Sequence, residues 1–210
     1  MSLVLTRLFV ALFALGIMVP AAWGAELKPG IYVAARDLDD GVFIGTHQFL
    51  VLVPADPAEW KASERLEDLG DGTLGIIVGA QKDGKLLKVA WFQDADLKAT
   101  QEYTNPKKYV KLLKPDFDFE QAAVKYDGEL SDAIKKVLAG VRQFETKTKA
   151  APVKYPSPDQ QLANGGNLLN SNSWAQSVIE YAIGADRVRE DFTGADNGHS
   201  NRFPRELFVP

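Results

Sequence analysis

The chain contains no cysteine in 210 residues. That single absence removes disulfides, thiolate catalysis, cysteine metal sites and a lipoprotein anchor together. Histidine is nearly as scarce, with His47 and His199 the only two, so any mechanism that takes histidine as its base must choose between them. No internal repeat and no low-complexity tract is present. The formal net charge is −4, which argues against a nucleic-acid partner, since phosphate binding rests on clustered Lys and Arg.

What is present begins with Arg7, the apolar run Leu8 to Trp23 and the small residues Ala22, Gly24 and Ala25. This pattern predicts a secretory signal peptide over residues 1–24 rather than a membrane anchor, because the apolar run is short and contains Pro20. Cleavage would leave residues 25–210 as a single domain with 23 Lys+Arg against 28 Asp+Glu, a net of −5. The mature protein is then expected to be periplasmic or secreted, without an integral membrane segment. An apolar content of 46% over about 185 residues is enough to fold on a core alone.

Ile31, Val33 and Ala35 alternate after Pro29-Gly30 and predict a first strand. Val42 to Val53 predicts a second, with Phe49 to Val53 apolar on both faces as in a central strand. His47 stands at the mouth of that strand. Asp56-Pro57-Ala58-Glu59 has the form of a capping box with proline in the first turn, so a short helix to about Leu66 is expected. Leu74–Gln81 and Leu86–Phe92 flank Lys82-Asp83-Gly84-Lys85, where Asp-Gly between two apolar runs signals a hairpin. With its first strand antiparallel to the His47 strand, Gln81 would return beside His47.

Asp94 to Phe119 is mixed, and Lys107–Lys114 fits either an amphipathic helix or an edge strand. Ser131-Asp132 is expected to cap a helix whose buried face carries Ile134, Val137, Leu138, Val141 and Phe144. Lys149 to Gly166, with Pro152, Pro156, Pro158, Gly165 and Gly166, predicts a long loop in which Tyr155 is the one large anchor. Asn167 to Ser173 then runs into a helix with Ala175, Val178, Ile179, Ala182 and Ile183 on one face and Gly184 as its stop. The sum is an α+β domain, an antiparallel sheet packed against helices.

Helix starts present unpaired N–H groups and partial positive charge, so Ser171 at that start is a candidate nucleophile with an oxyanion site beside it. The alternative is simple capping: Asn170, Ser171 and Ser173 are all favoured capping residues. Acidic groups at Asp37/Asp39/Asp40, Glu67/Asp68/Asp71 and Asp94/Asp96 fall at predicted loop positions, with no apolar setting that would raise one pKa for glycosidase chemistry. Asp196-Asn197-Gly198-His199 lacks the spacing of a calcium or zinc motif. No metal and no cofactor is therefore expected.

Gly45-Thr46-His47-Gln48-Phe49-Leu50-Val51-Leu52, followed much later by Asn170-Ser171-Asn172-Ser173-Trp174 at a helix start, resembles the circularly permuted papain-like superfamily, including its lecithin–retinol acyltransferase-like branch. In that family a histidine opens a sheet strand, a polar residue on the neighbouring strand orients it, and an Asn-Cys pair starts a later helix. The resemblance implies His47 as base, Ser171 in the nucleophile's place and Gln81 as orienter, with Asn170, Asn172 and Trp174 at the binding site. Serine cannot be held as an anion by an imidazolium as a thiolate can, so His47 would have to act as a true general base. The implied function is a secreted amide or ester hydrolase or acyltransferase acting on a peptide, cell-wall or acyl substrate. The alternative is a non-catalytic cleft, a pseudoenzyme that binds a peptide or cell-wall ligand after loss of the cysteine, whether the serine is native or a replacement.

Overall fold

A computed structural model of the chain describes residues 26–37, 46–106, 108, 119–163, 168–184 and 201–210. The predicted signal peptide, residues 38–45 and His199 lie outside the described residues. The protein is of mixed α+β class, with an antiparallel sheet of six strands in the order β3-β4-β2-β1-β6 and β5 paired to β4. The strands are β1 (Gly30–Asp37), β2 (Thr46–Val53), β3 (Glu67–Asp68), β4 (Leu74–Asp83), β5 (Leu86–Trp91) and β6 (Phe119–Ala123). The helices are α1 (Asp94–Thr104), α2 (Leu130–Ala150), the short α3 (Pro158–Ala163) and α4 (Ser171–Ile183).

Burial on both sides explains the apolar run in β2. Leu50 and Leu52 join Ile134, Val137, Val141, Phe144, Trp174 and Val178 in a core under α2 and α4. Phe49, Val51 and Val53 point the opposite way, into a smaller core with Tyr32, Ala34, Leu69 and Ile77, against which Leu97 of α1 packs. Successive strand side chains must alternate between faces, so every odd-numbered residue of β2 is committed to the α1 face.

The β4–β5 hairpin forms as expected, but the ladder closes at Asp83↔Leu86, one residue later than an Asp-Gly turn would have it. The two-residue loop is therefore Gly84-Lys85, with Gly84 at φ +61 and Lys85 not in the positive region. Glycine at the first central position alone is the requirement of a type II′ turn, whose twist matches that of the flanking strands.

Several helix boundaries differ from expectation. After Asp56 there is only a 3₁₀ turn, Pro57–Glu59, capped by a 2.9 Å hydrogen bond from the Ala58 N–H to the Asp56 carboxylate. The helix expected at Ser131 starts one residue earlier, at Leu130, and its N-cap Glu129 makes no side-chain capping bond. Its predicted apolar face is buried throughout. The mixed stretch from Asp94 holds a full helix, α1, and part of the proline-rich loop forms α3. No helix among the described residues is long and apolar enough to cross a membrane.

Candidate functional site

The start of α4 is built almost wholly from its own polar side chains. Asn170 is an N-cap in extended conformation whose Oδ1 accepts from the N–H of Asn172 at 2.9 Å and of Ser173 at 3.1 Å. The Ser173 hydroxyl accepts in return from the Asn170 N–H, 3.2 Å, which completes a reciprocal capping box. Gly184 ends the helix in the left-handed conformation at φ +66, where glycine carries no Cβ penalty.

Asn172 then ties the helix to the sheet. Its Oδ1 accepts the Gln48 N–H at 2.8 Å, and its Nδ2 donates to the Thr46 carbonyl at 3.0 Å. One turn on, Gln176 Nε2 donates to Gln48 Oε1 at 3.0 Å. Asn172 is fully buried, and its bonds to Gln48 and Thr46 make it a clamp between α4 and β2. Trp174 is likewise 0% exposed, packed edge-on to Phe144 at 6.2 Å between ring centroids. It belongs to the core.

Ser171 is 3% exposed, and its hydroxyl donates to Asn172 Oδ1 at 3.3 Å. The Tyr155 phenol faces the Ser171 hydroxyl and backbone N–H; burial pushes the phenol pKa up, and those two contacts oppose the rise. The N–H groups of Asn172 and Ser173, which could have formed part of an oxyanion site, thus meet Asn170.

His47 lies on the other side of the sheet. Its ring stacks on Phe49 at 6.0 Å, and its Nε2 sits 3.2 Å from Asp96 Oδ2. The second oxygen of Asp96 accepts from Arg36 Nε at 2.6 Å. All three residues are buried, with Arg36 7%, His47 5% and Asp96 1% exposed. A Cβ at Gly79, on the adjoining strand, would stand 3.1 Å from Phe49 Cβ and 3.4 Å from both His47 Nε2 and Asp96 Oδ2. The missing side chain of Gly79 therefore makes the space in which the pair meets. Burial raises the pKa of the Asp96 carboxyl, but the His47 ring and then the Arg36 guanidinium outweigh it and hold the group below the usual carboxylate range.

No hydrogen bond therefore joins His47 to Ser171 among the described residues. Gln81 is also displaced from its expected role. The β2–β4 ladder is paired from Phe49↔Gly79 to Leu52↔Ile76, and Gln81 lies beyond it, paired to Lys88 of β5. The His47 ring is engaged instead by Asp96 of α1, a residue expected at a loop position with no apolar setting. The available signal was Gln93-Asp94-Ala95-Asp96, in which the Gln93 side chain caps α1 by accepting the Asp96 N–H at 2.8 Å. Of the other acidic groups, Asp68 and Asp71 serve loop N–H groups at Gly70, Gly72 and Thr73. No cluster of three metal-ligating side chains occurs among the described residues.

Thr46 offers a stability test of the seam between β2 and α4. Its hydroxyl is buried with no hydrogen-bond partner among the described residues, although its carbonyl is bonded. Thr46→Val keeps the shape and removes the orphan hydroxyl, so it should raise unfolding stability by about 1 kcal/mol in urea titration. A loss of similar size would mean that the hydroxyl is satisfied.

Beside Tyr155 an open groove of about 960 Å³ runs along the β4–β5 hairpin and the segment after Pro152, with Leu86, Leu168 and Leu169 as apolar lining and Lys82, Lys85 and Lys154 as its charged groups. The segment is fixed there as a short added strand, with the Leu87 N–H donating to the Val153 carbonyl and the Tyr155 N–H to the Lys85 carbonyl, both 2.9 Å. At the upper end of the roughly 300–1,000 Å³ range of ligand pockets, the groove is large enough for a ligand. No known family model, curated protein or solved structure matches the chain.

Proposed function

We propose that this chain is an exported, non-catalytic binding domain of permuted papain-like kind, which holds a peptide or cell-wall ligand in the groove beside Tyr155. One observation supports the reading: the two residues of the expected dyad engage different partners, and no hydrogen bond joins them among the described residues. His47 is engaged by Asp96 on the α1 face, and Ser171 is engaged by Asn172 and Tyr155 on the α4 face. A serine hydrolase needs its base within hydrogen-bond reach of the nucleophile, or a little beyond in an empty site. Here no hydrogen bond joins them among the described residues, and the Asn172 and Ser173 N–H groups that would stabilise an oxyanion already bond Asn170 Oδ1.

A fluorophosphonate probe tests this directly on the full chain. The expected result is no adduct at Ser171 by peptide mapping, and no difference between the wild type, Ser171→Ala and His47→Ala. An adduct at Ser171 that disappears in a folded His47→Ala variant would overturn the binding reading and restore the hydrolase.

A further inference from the structure

We infer that the groove beside Tyr155 selects an acidic peptide with interspersed apolar side chains, a ligand class that rests on the binding reading above. Lys82 comes from β4 and Lys85 from the turn that follows it, and Lys154 is brought to them by the backbone bonds that join Val153 and Tyr155 to the hairpin. The three are exposed, none has an ion pair among the described residues, and no carboxylate lines the groove. The nearby Asp83 is taken by Lys88. Three ammonium groups gathered on one groove of a chain with net charge −4 make a local positive field, which recruits anions and disfavours basic partners.

The apolar lining sets the other half of the specificity. Leu86, Leu168 and Leu169 with Tyr155 line an open groove rather than an enclosed tunnel. An acyl chain gains most from continuous enclosure, whereas a peptide presents charged and apolar side chains in alternation. An open groove lined by both lysines and leucines suits the peptide.

The test uses the full chain and a rhodamine-labelled eight-residue peptide of alternating Glu and Leu, with counterparts in which every Glu is Gln or every Glu is Lys. Fluorescence anisotropy should detect saturable binding of the Glu peptide that weakens as salt is raised. Binding should fall roughly tenfold or more in a folded Lys82→Glu/Lys85→Glu/Lys154→Glu variant, and the Gln and Lys peptides should bind more weakly than the Glu peptide. If the Gln or Lys peptide binds as well, and Leu86→Asp abolishes it, the acidic preference is overturned while the binding reading stands. Tighter binding of sodium laurate at the same residues would also overturn the peptide, in favour of an acyl carboxylate. If no probe binds, the proposal is overturned, and fluorophosphonate labelling of Ser171 would then remove the binding reading as well.

Discussion

Asp96→Ala should destabilise this protein by about 3–5 kcal/mol, the range for breaking a buried ion pair from one side. The carboxylate receives Arg36 on one oxygen and His47 on the other in a site from which water is excluded. Removing it leaves the Arg36 guanidinium, which cannot deprotonate in a protein, beside the hole. Asp96→Asn keeps the size and loses the charge, so it separates the cavity from the electrostatics and should recover only part of the loss. The pH dependence has a definite sign. The folded pKa of Asp96 is depressed, so its contribution is fully present above the unfolded value near ~3.9 and is lost as pH falls through the lower folded value. The difference in urea midpoint between the wild type and Asp96→Asn should therefore be constant near neutrality and shrink below about pH 4. A pH-independent difference would mean that the carboxylate's charge contributes nothing.

Asn172→Ala is the second large effect, at roughly 2–4 kcal/mol, because it strands two buried backbone groups at a cost of about 1–3 kcal/mol each. The Gln48 N–H and the Thr46 carbonyl sit at the mouth of β2, and both bond this one amide. Asn172→Asp is the sharper variant: its oxygens can still accept from Gln48, but it has no donor for Thr46 and buries a charge. Both variants should lose stability, with protection of the Gln48 amide against hydrogen exchange lost in Asn172→Ala and partly kept in Asn172→Asp. If Asn172→Ala unfolds at the same urea concentration as the wild type, the amide is not a clamp between strand and helix.

Asn172 and Asp96 also mark the limit of what local sequence shows. Asn172 is visible as a member of a polar cluster at a helix start, and the cluster does start a helix, with the expected Asn170 cap and Gly184 stop. Its partners are not visible, because Thr46 and Gln48 lie more than a hundred residues earlier. Asp96 sits in a stretch whose mixed composition conceals α1, and its polar and apolar residues do not form the clear stripe seen in α2. Nothing local distinguishes a buried aspartate from a solvated one when its partners, Arg36 and His47, are contributed by β1 and β2.

Parity along β2 decides the fate of the expected dyad. Phe49 to Val53 is apolar at every position, which correctly indicates a strand covered on both faces but carries no sign of which face each residue meets. A one-residue change of register would exchange the two sets completely. With a half-buried strand, alternation would have assigned His47 to a face; with this one, only the packing of α1 against Phe49 and of α4 against Gln48 and Leu50 could do so.

The order of residues by itself determines local features: the α+β class, the strands around residues 31 and 50, the β4–β5 hairpin, the apolar face of α2 and the polar start of α4. These depend on periodicity, turn chemistry and capping, which act over a few residues. The pairing of His47 with Asp96, the commitment of Ser171 to Asn172 and Tyr155, and the gathering of three lysines at one groove depend on which sheet face and which neighbouring strand each residue meets. Long-range packing settles those contacts, and it gives the two halves of the expected dyad different partners.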